Sequence, residues 1–361
     1  MTLLMPLFIQ VFPLLGIGLH LNVLLLFLIS LYMLSIALFN FKKIGIGKIS
    51  IAFLVFFLLS IIQILSLSRI LPILFFFQCF LLALFIHHDN FANVVLSNKR
   101  LISFVTILYI AISLLLLVLH LNFNPVDGRF YGLAYSPTTF VLFLVVLLVL
   151  FHYVHKSSFT FHVLFGLSVV LTYFSGTRTG LLLLILLPLN NYFYDKYLHG
   201  KKWIRIVLFL FIMAIYPLAE FITNTNPELV EYRFAEEGEV DYSYATRIAF
   251  TAAVADEWVH GSTMQKIFGF GTEFSRMKIL YLYDEDIQLH NDFLRFAVDF
   301  GLPAMLLFIA IIFSLSQNNK YSFFLALIYL FSFYHNMIYE VFLFNTLLFL
   351  NRASTEKKLT A

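Results

Sequence analysis

The chain has 361 residues, of which 61% are hydrophobic and 12% charged, with a net charge of +3. An ordinary soluble domain carries about 25% charged residues, and a soluble fold of this length has no interior large enough for so much apolar surface. Composition excludes a soluble enzyme, a disordered tail and a disulfide scaffold, and so small a net charge does not suggest nucleic-acid binding. The chain reads as an all-α polytopic membrane protein.

A hydrocarbon core about 30 Å thick takes roughly 20 apolar residues per helix. Along the chain this predicts spans at Leu3–Leu19, Leu21–Phe39, Ile49–Leu67, Ile70–Ile86, Leu101–Leu121, Thr138–Val154, Thr160–Phe174, Thr179–Tyr194 and Ile204–Ile222. Three more follow at Phe293–Leu315, Tyr321–His335 and Val341–Leu350, about twelve in all. They are helices because lipid offers a backbone amide no partner outside its own segment. The start has no basic leader and no A-x-A cleavage site, so the first run reads as a retained span. Cys79 is the only cysteine, which rules out an intramolecular disulfide and a thiolate metal site. The 45 phenylalanines are expected mostly to meet lipid.

Three regions result: an N-terminal bundle of about nine helices over 1–222, a large loop over 223–289, and the last spans with a tail over 290–361. The loop holds 12 acids and 5 bases, a net charge of −7, which leaves +10 on the rest of the chain. Loops beyond about 15 residues are functional or disordered. Helical spacing of Ile248, Ala252, Ala255 and Val259 predicts a short helix within this one, lying at the membrane interface.

Basic residues set orientation. Lys42, Lys43, Lys48, Lys99, Arg100, Lys156, Lys196, Lys201, Lys202, Arg205, Lys320, Arg352, Lys357 and Lys358 fall in alternate gaps, predicting one cytoplasmic side that carries both termini. The other side holds 9 basic residues, 7 of them arginine, whereas the first side has 11 lysines among its 14. Lysine suffices for topology, but arginine presents a planar fork that grips phosphate and carboxylate oxygens. Either an anionic ligand or salt bridges to the loop's own acids accounts for this bias.

Four clusters lie on the arginine-rich side. Asp127-Gly128-Arg129-Phe130-Tyr131-Gly132-Leu133 precedes Ser136-Pro137-Thr138, a helix start. Phe174-Ser175-Gly176-Thr177-Arg178-Thr179-Gly180 joins two spans, and Arg178 there either snorkels to the interface or binds an anion at a helix start. Tyr244-Ala245-Thr246-Arg247 opens a helix inside the loop. His290-Asn291-Asp292-Phe293-Leu294-Arg295 leads back into the membrane. In it Asp292 and Arg295 share a helix face, and His290 is either a polar cap or a general base. Asp284-Glu285-Asp286 reads as a solvated run before a metal site, and Gly269-Phe270-Gly271 is a lone G-x-G with no strand ahead of it.

In this order the clusters resemble the O-antigen polymerase and O-antigen ligase superfamily of bacterial envelope glycan enzymes. The matching elements are Gly128-Arg129…Gly132-Leu133…Pro137, Ser175-Gly176-Thr177-Arg178-Thr179-Gly180, Thr246-Arg247 with Gly269-Phe270-Gly271, and His290-Asn291-Asp292…Gly301, covering roughly Gly128 to Leu307. The resemblance implies a GT-C-like glycosyltransferase of the bacterial inner membrane, working at the periplasmic face with short helices in its large loop. Its substrate would be undecaprenyl-diphosphate-linked oligosaccharide, with no cofactor and no metal, and a chain-length regulator is an implied partner. Length, phenylalanine bias and divergent motifs resemble polymerases more than ligases; a lipid-linked glycan flippase or transporter is the alternative from a different class. Catalytic residues would be His290 as base with Arg178 and Arg247 on the diphosphate. Arg129, Arg178, Arg247, Asp292 and Arg295 would bind substrate.

Overall fold

The computed structural model describes residues 47–63, 70–86, 98–123, 128–134, 136–198, 200–225, 242–284, 289, 291–335 and 341–359, with a few positions between 27 and 35. The expected spans Leu3–Leu19 and, for the most part, Leu21–Phe39 lie outside these residues. All named elements are helical. They are α1 (Lys48–Ile62), α2 (Leu71–Ile86), α3 (Lys99–Val118), α4 (Pro137–His155), α5 (Phe159–Phe174) and α6 (Arg178–Phe193), followed by a π-turn at Tyr194–Leu198. Next come α7 (Lys202–Thr225), α8 (Tyr242–His260), α9 (Thr263–Phe268), α10 (Phe274–Tyr283), α11 (Asp292–Phe300), α12 (Leu302–Leu315), α13 (Lys320–Ser332) and α14 (Val341–Leu359).

Among the described residues, α3 and α4 are long and apolar enough to cross a bilayer, and six more apolar helices are shorter. The starts of several helices follow local chemistry. Ser136 accepts from Thr139 N–H at 3.1 Å with Pro137 at the first helical position, Ser158 accepts from Phe161 N–H, and Asn319 closes a capping box with Ser322. The α4 helix is apolar on every side and buried from Thr139 to His152, so it forms the centre of the bundle.

Among the described residues, many phenylalanines are buried against other phenylalanines. Phe308 lies within 5.1–6.4 Å, ring to ring, of Phe53, Phe56, Phe76, Phe296, Phe333, Phe344 and Tyr329. Edge-to-face and offset rings at these distances add to area burial, and the hub ties α1, α2, α11, α12, α13 and α14 together.

The turns rich in basic residues gather at one end. There Ser103 Oγ and His155 Nε2 are 2.6 Å apart, His152 bonds Tyr321 at 3.0 Å, and Lys320 pairs with Asp195 at 2.9 Å. Arg205 donates to Tyr194 OH and to the Gln317 carbonyl. At the other end, Phe130 N–H donates to the Phe174 carbonyl and Thr272 N–H to the Gln63 carbonyl at 2.9 Å.

One expected span is interrupted. The run predicted over Phe293–Leu315 is two helices, α11 and α12, broken at Gly301 with φ +93°. Pro303 has no N–H to give the Asp299 carbonyl, and the break is also held from outside the helix: a Cβ on Gly301 would collide with the Ile267 carbonyl, and one on Gly269 with the Asp299 carbonyl. Two backbones thus touch. Phe270 N–H donates to Val298 O at 2.8 Å and Gly271 N–H to Asp299 O at 3.2 Å, satisfying carbonyls that the last turn of α11 leaves open. Hence Gly269-Phe270-Gly271 is a clamp on a helix end in this fold.

Candidate functional site

Two of the four clusters come together at the end of the bundle opposite the lysines. Asn122 and Gly132 carry positive φ, and Tyr131 N–H donates to Asn122 O at 3.0 Å, which sets residues 122 and 131 side by side. Phe130 is buried between Phe123 and Phe140 at 5.2 and 5.6 Å, while its neighbour Arg129 stays exposed. Facing it, Ser175 is buried. Its Oγ donates to Thr172 O at 2.7 Å, lies 3.0 Å from the Thr177 hydroxyl, and accepts from Thr177 N–H at 3.3 Å. Gly176 turns at φ +63°, and its open Cα face receives Arg129: the position of a Cβ there lies 3.5 Å from Arg129 Cγ and 3.6 Å from Nε.

Arg178 is the first residue of α6, preceded by Thr177, whose side chain makes no cap bond. It is exposed and has no ion-pair partner among the described residues. Gly180, one turn on, packs against α4 so closely that a Cβ would collide with Val141. The arrangement places two exposed guanidinium-bearing residues, Arg129 and Arg178, around a helix N-terminus, whose dipole and first amides also favour an anion.

The fourth cluster is assembled differently. Asp292, Arg295 and Asp299 share one face of α11 and are all buried, Arg295 with 1% of its surface exposed. Arg295 Nη2 pairs with Glu273, Nη1 donates to Asp292 Oδ1 at 3.3 Å, and Nε stands 4.0 Å from Asp299 Oδ2. Asp299 Oδ1 also accepts from Ser275 N–H at 2.9 Å, and Arg276 reaches Glu273 at 3.6 Å. The Asp292–Arg295 pair read from their spacing exists, but both groups are turned onto the chain's own residues and away from solvent. They join α11 to the loop helix α10.

Arg247 stands on α8, and its side chain lies outside the described residues, as does His290 entirely. Asn291, the next residue, caps α11 by accepting from Leu294 N–H at 3.1 Å. It also lines a cavity of about 220 Å³ with Met213, Trp258, Leu294, Met305 and Tyr334. The walls are mainly apolar. The Trp258 indole N–H is buried there without a hydrogen-bond partner among the described residues. The single Tyr334 hydroxyl proton is shared between Ile212 O at 2.8 Å and Met213 O at 3.0 Å. The second bond repairs a break inside α7, because the residue that would donate to Met213 O is Pro217, which has no N–H.

Trp258, Asn291 and Tyr334 were not singled out as one site from the sequence. The pairing of Trp258 with Tyr334 spans 76 residues, and neither carries a local motif; the rarity of tryptophan was the only signal. No protein-family model matches the chain, and no curated protein matches it.

Proposed function

We propose that this chain is a membrane glycosyltransferase that polymerises a surface polysaccharide of O-antigen type. In this reading about twelve spans form a GT-C-like bundle in a bacterial inner membrane. The lysine-rich end and both termini are cytoplasmic, and the acidic loop is periplasmic. The donor is a glycan on undecaprenyl diphosphate, and the acceptor is a hydroxyl of another lipid-linked repeat unit. The observation that carries the reading is the contact of Arg129 with the Ser175–Arg178 turn, which joins two of the resembling motifs around one helix N-terminus.

The donor already holds a good leaving group, so catalysis needs charge stabilisation and a base. The bond from the anomeric carbon to the diphosphate oxygen breaks, and the electron pair leaves with undecaprenyl diphosphate. The acceptor oxygen bonds that carbon from the opposite face, inverting it, and its proton passes to His290. Arg178 and Arg247, with Arg129, would neutralise the departing phosphates, each preorganised donor contributing about 3 kcal/mol to lowering the barrier. A base such as His290 contributes roughly 10²–10⁴-fold.

The test is surface glycan length on a gel after Arg178→Lys or Arg247→Lys. Polymerisation predicts a lipid core bearing a single repeat unit. Loss of even that unit identifies a ligase, and a normal ladder removes these arginines from the chemistry. A transporter reading is favoured by one observation: the helix broken at Gly301 beside a buried ion cluster resembles the discontinuous helices of transporters. Movement of lipid-linked repeat across a reconstituted bilayer without any oligomer would establish that reading instead.

A further inference from the structure

We infer that helix α9 and the adjoining Val259 form an edge of the acidic loop that dips into the outer leaflet, with lipid chains as its partner. The inference rests on the membrane reading above and is independent of the transfer reaction.

Within ten residues of a segment otherwise rich in acids, Val259, Met264 and Phe268 are 57%, 64% and 53% exposed, and Ile267 is exposed beside them. Monomeric proteins rarely leave so dense an apolar patch to water. The patch is rigid. Ser262 and Gln265 form a full capping box at the start of α9, and Gly269 N–H closes its end onto Gln265 O at 2.8 Å. Lys266, the charge on this short helix, donates to the Val259 carbonyl at 2.7 Å and lies 6.0 Å from the Trp258 ring.

What lies on either side decides the partner. The Phe268 carbonyl accepts from the Gln63 side chain at the end of α1, where Ile62 is 78% exposed. On the other flank the Ile267 carbonyl abuts Gly301, directly before Leu302 and Leu306, both exposed on α12. The backbone of α9 therefore touches one end of each of two apolar helices, α1 and α12, which carry exposed apolar residues of their own. An exposed apolar edge held between the ends of two apolar helices fits the bilayer that those helices occupy in the membrane reading. Asp256 and His260 pair at 3.1 Å in full exposure on α8, marking where water begins.

The test uses the full chain in phospholipid bilayers with single introduced cysteines, since native Cys79 is buried. Nitroxide labels go on Met264→Cys and Phe268→Cys, with Asp256→Cys as the water reference and Leu306→Cys as the lipid reference. Relaxation by dissolved oxygen is compared with relaxation by an aqueous nickel chelate. Oxygen should dominate at 264, 268 and 306, and nickel at 256. Dominance of nickel at 264 and 268 overturns the inference, as does weak relaxation by both, which would mean protein covers the patch. Nickel dominance at 306 as well would instead defeat the membrane reading itself.

Discussion

Replacement of Gly301 by alanine tests the clamp between the loop and the broken helix. At φ +93° and ψ 156° an alanine sits in a backbone region open essentially to glycine alone, a penalty of roughly 1–2 kcal/mol. Its methyl also collides with the Ile267 carbonyl, so the α9 end must withdraw. Withdrawal breaks Phe270 N–H to Val298 O and Gly271 N–H to Asp299 O, each worth about 1 kcal/mol net. Together these lower the free energy of opening by roughly 3–4 kcal/mol, which corresponds to a few hundred-fold. Hydrogen–deuterium exchange of peptides covering residues 261–275 should therefore accelerate by at least 10²-fold. Gly166→Ala is the control, because its Cβ meets nothing within 4 Å inside α5. Protection of those amides within threefold of the parent in Gly301→Ala would refute the clamp.

The buried ion cluster gives a second expectation. Arg295→Met strands Glu273, Asp292 and Asp299 without their shared cation and should cost about 3–5 kcal/mol, seen as lost recovery of monodisperse protein in detergent; full recovery would contradict it. Tyr334→Phe leaves the Met213 carbonyl, which Pro217 cannot serve, without its donor and should cost about 1–3 kcal/mol, read as a lower thermal midpoint, whereas an unchanged midpoint would show that water serves it equally well. Gly180→Ala should push α6 off α4 and impair glycan polymerisation, and adding Val141→Ala should restore it. An inactive double variant would place the defect elsewhere than this packing.

The helix-forming runs were largely legible because apolar stretches bounded by charge or by Ser and Asn caps write their own ends. Helix α5 (Phe159–Phe174) and helix α6 (Arg178–Phe193) follow the expected Thr160–Phe174 and Thr179–Tyr194 within a residue or two. The break at Gly301 has a local signal, Gly301 followed by Pro303, which the apolar run through Leu302 and beyond outweighed; the contact with Ile267, 34 residues upstream, left no trace in the sequence. For the same reason the role of Gly269 and Gly271 was not apparent: a clamp on a distant helix end leaves only glycines in sequence.

Within the candidate site, the Asp292–Arg295 pair was readable from helical spacing, since residues three apart meet on one face. Its burial was not, because Glu273 and Ser275 arrive from another helix. The meeting of Arg129 with Gly176 is likewise tertiary. It depends on Phe130 seating between Phe123 and Phe140 and on the missing Cβ at Gly176.

The proposed reaction is tested most directly by incubating the purified protein with one synthetic undecaprenyl-diphosphate-linked repeat unit and no other component. The account predicts oligomers of the repeat, with one undecaprenyl diphosphate released for every bond formed and both lost in Arg178→Lys. An intact, unextended substrate after incubation with well-folded protein would contradict it.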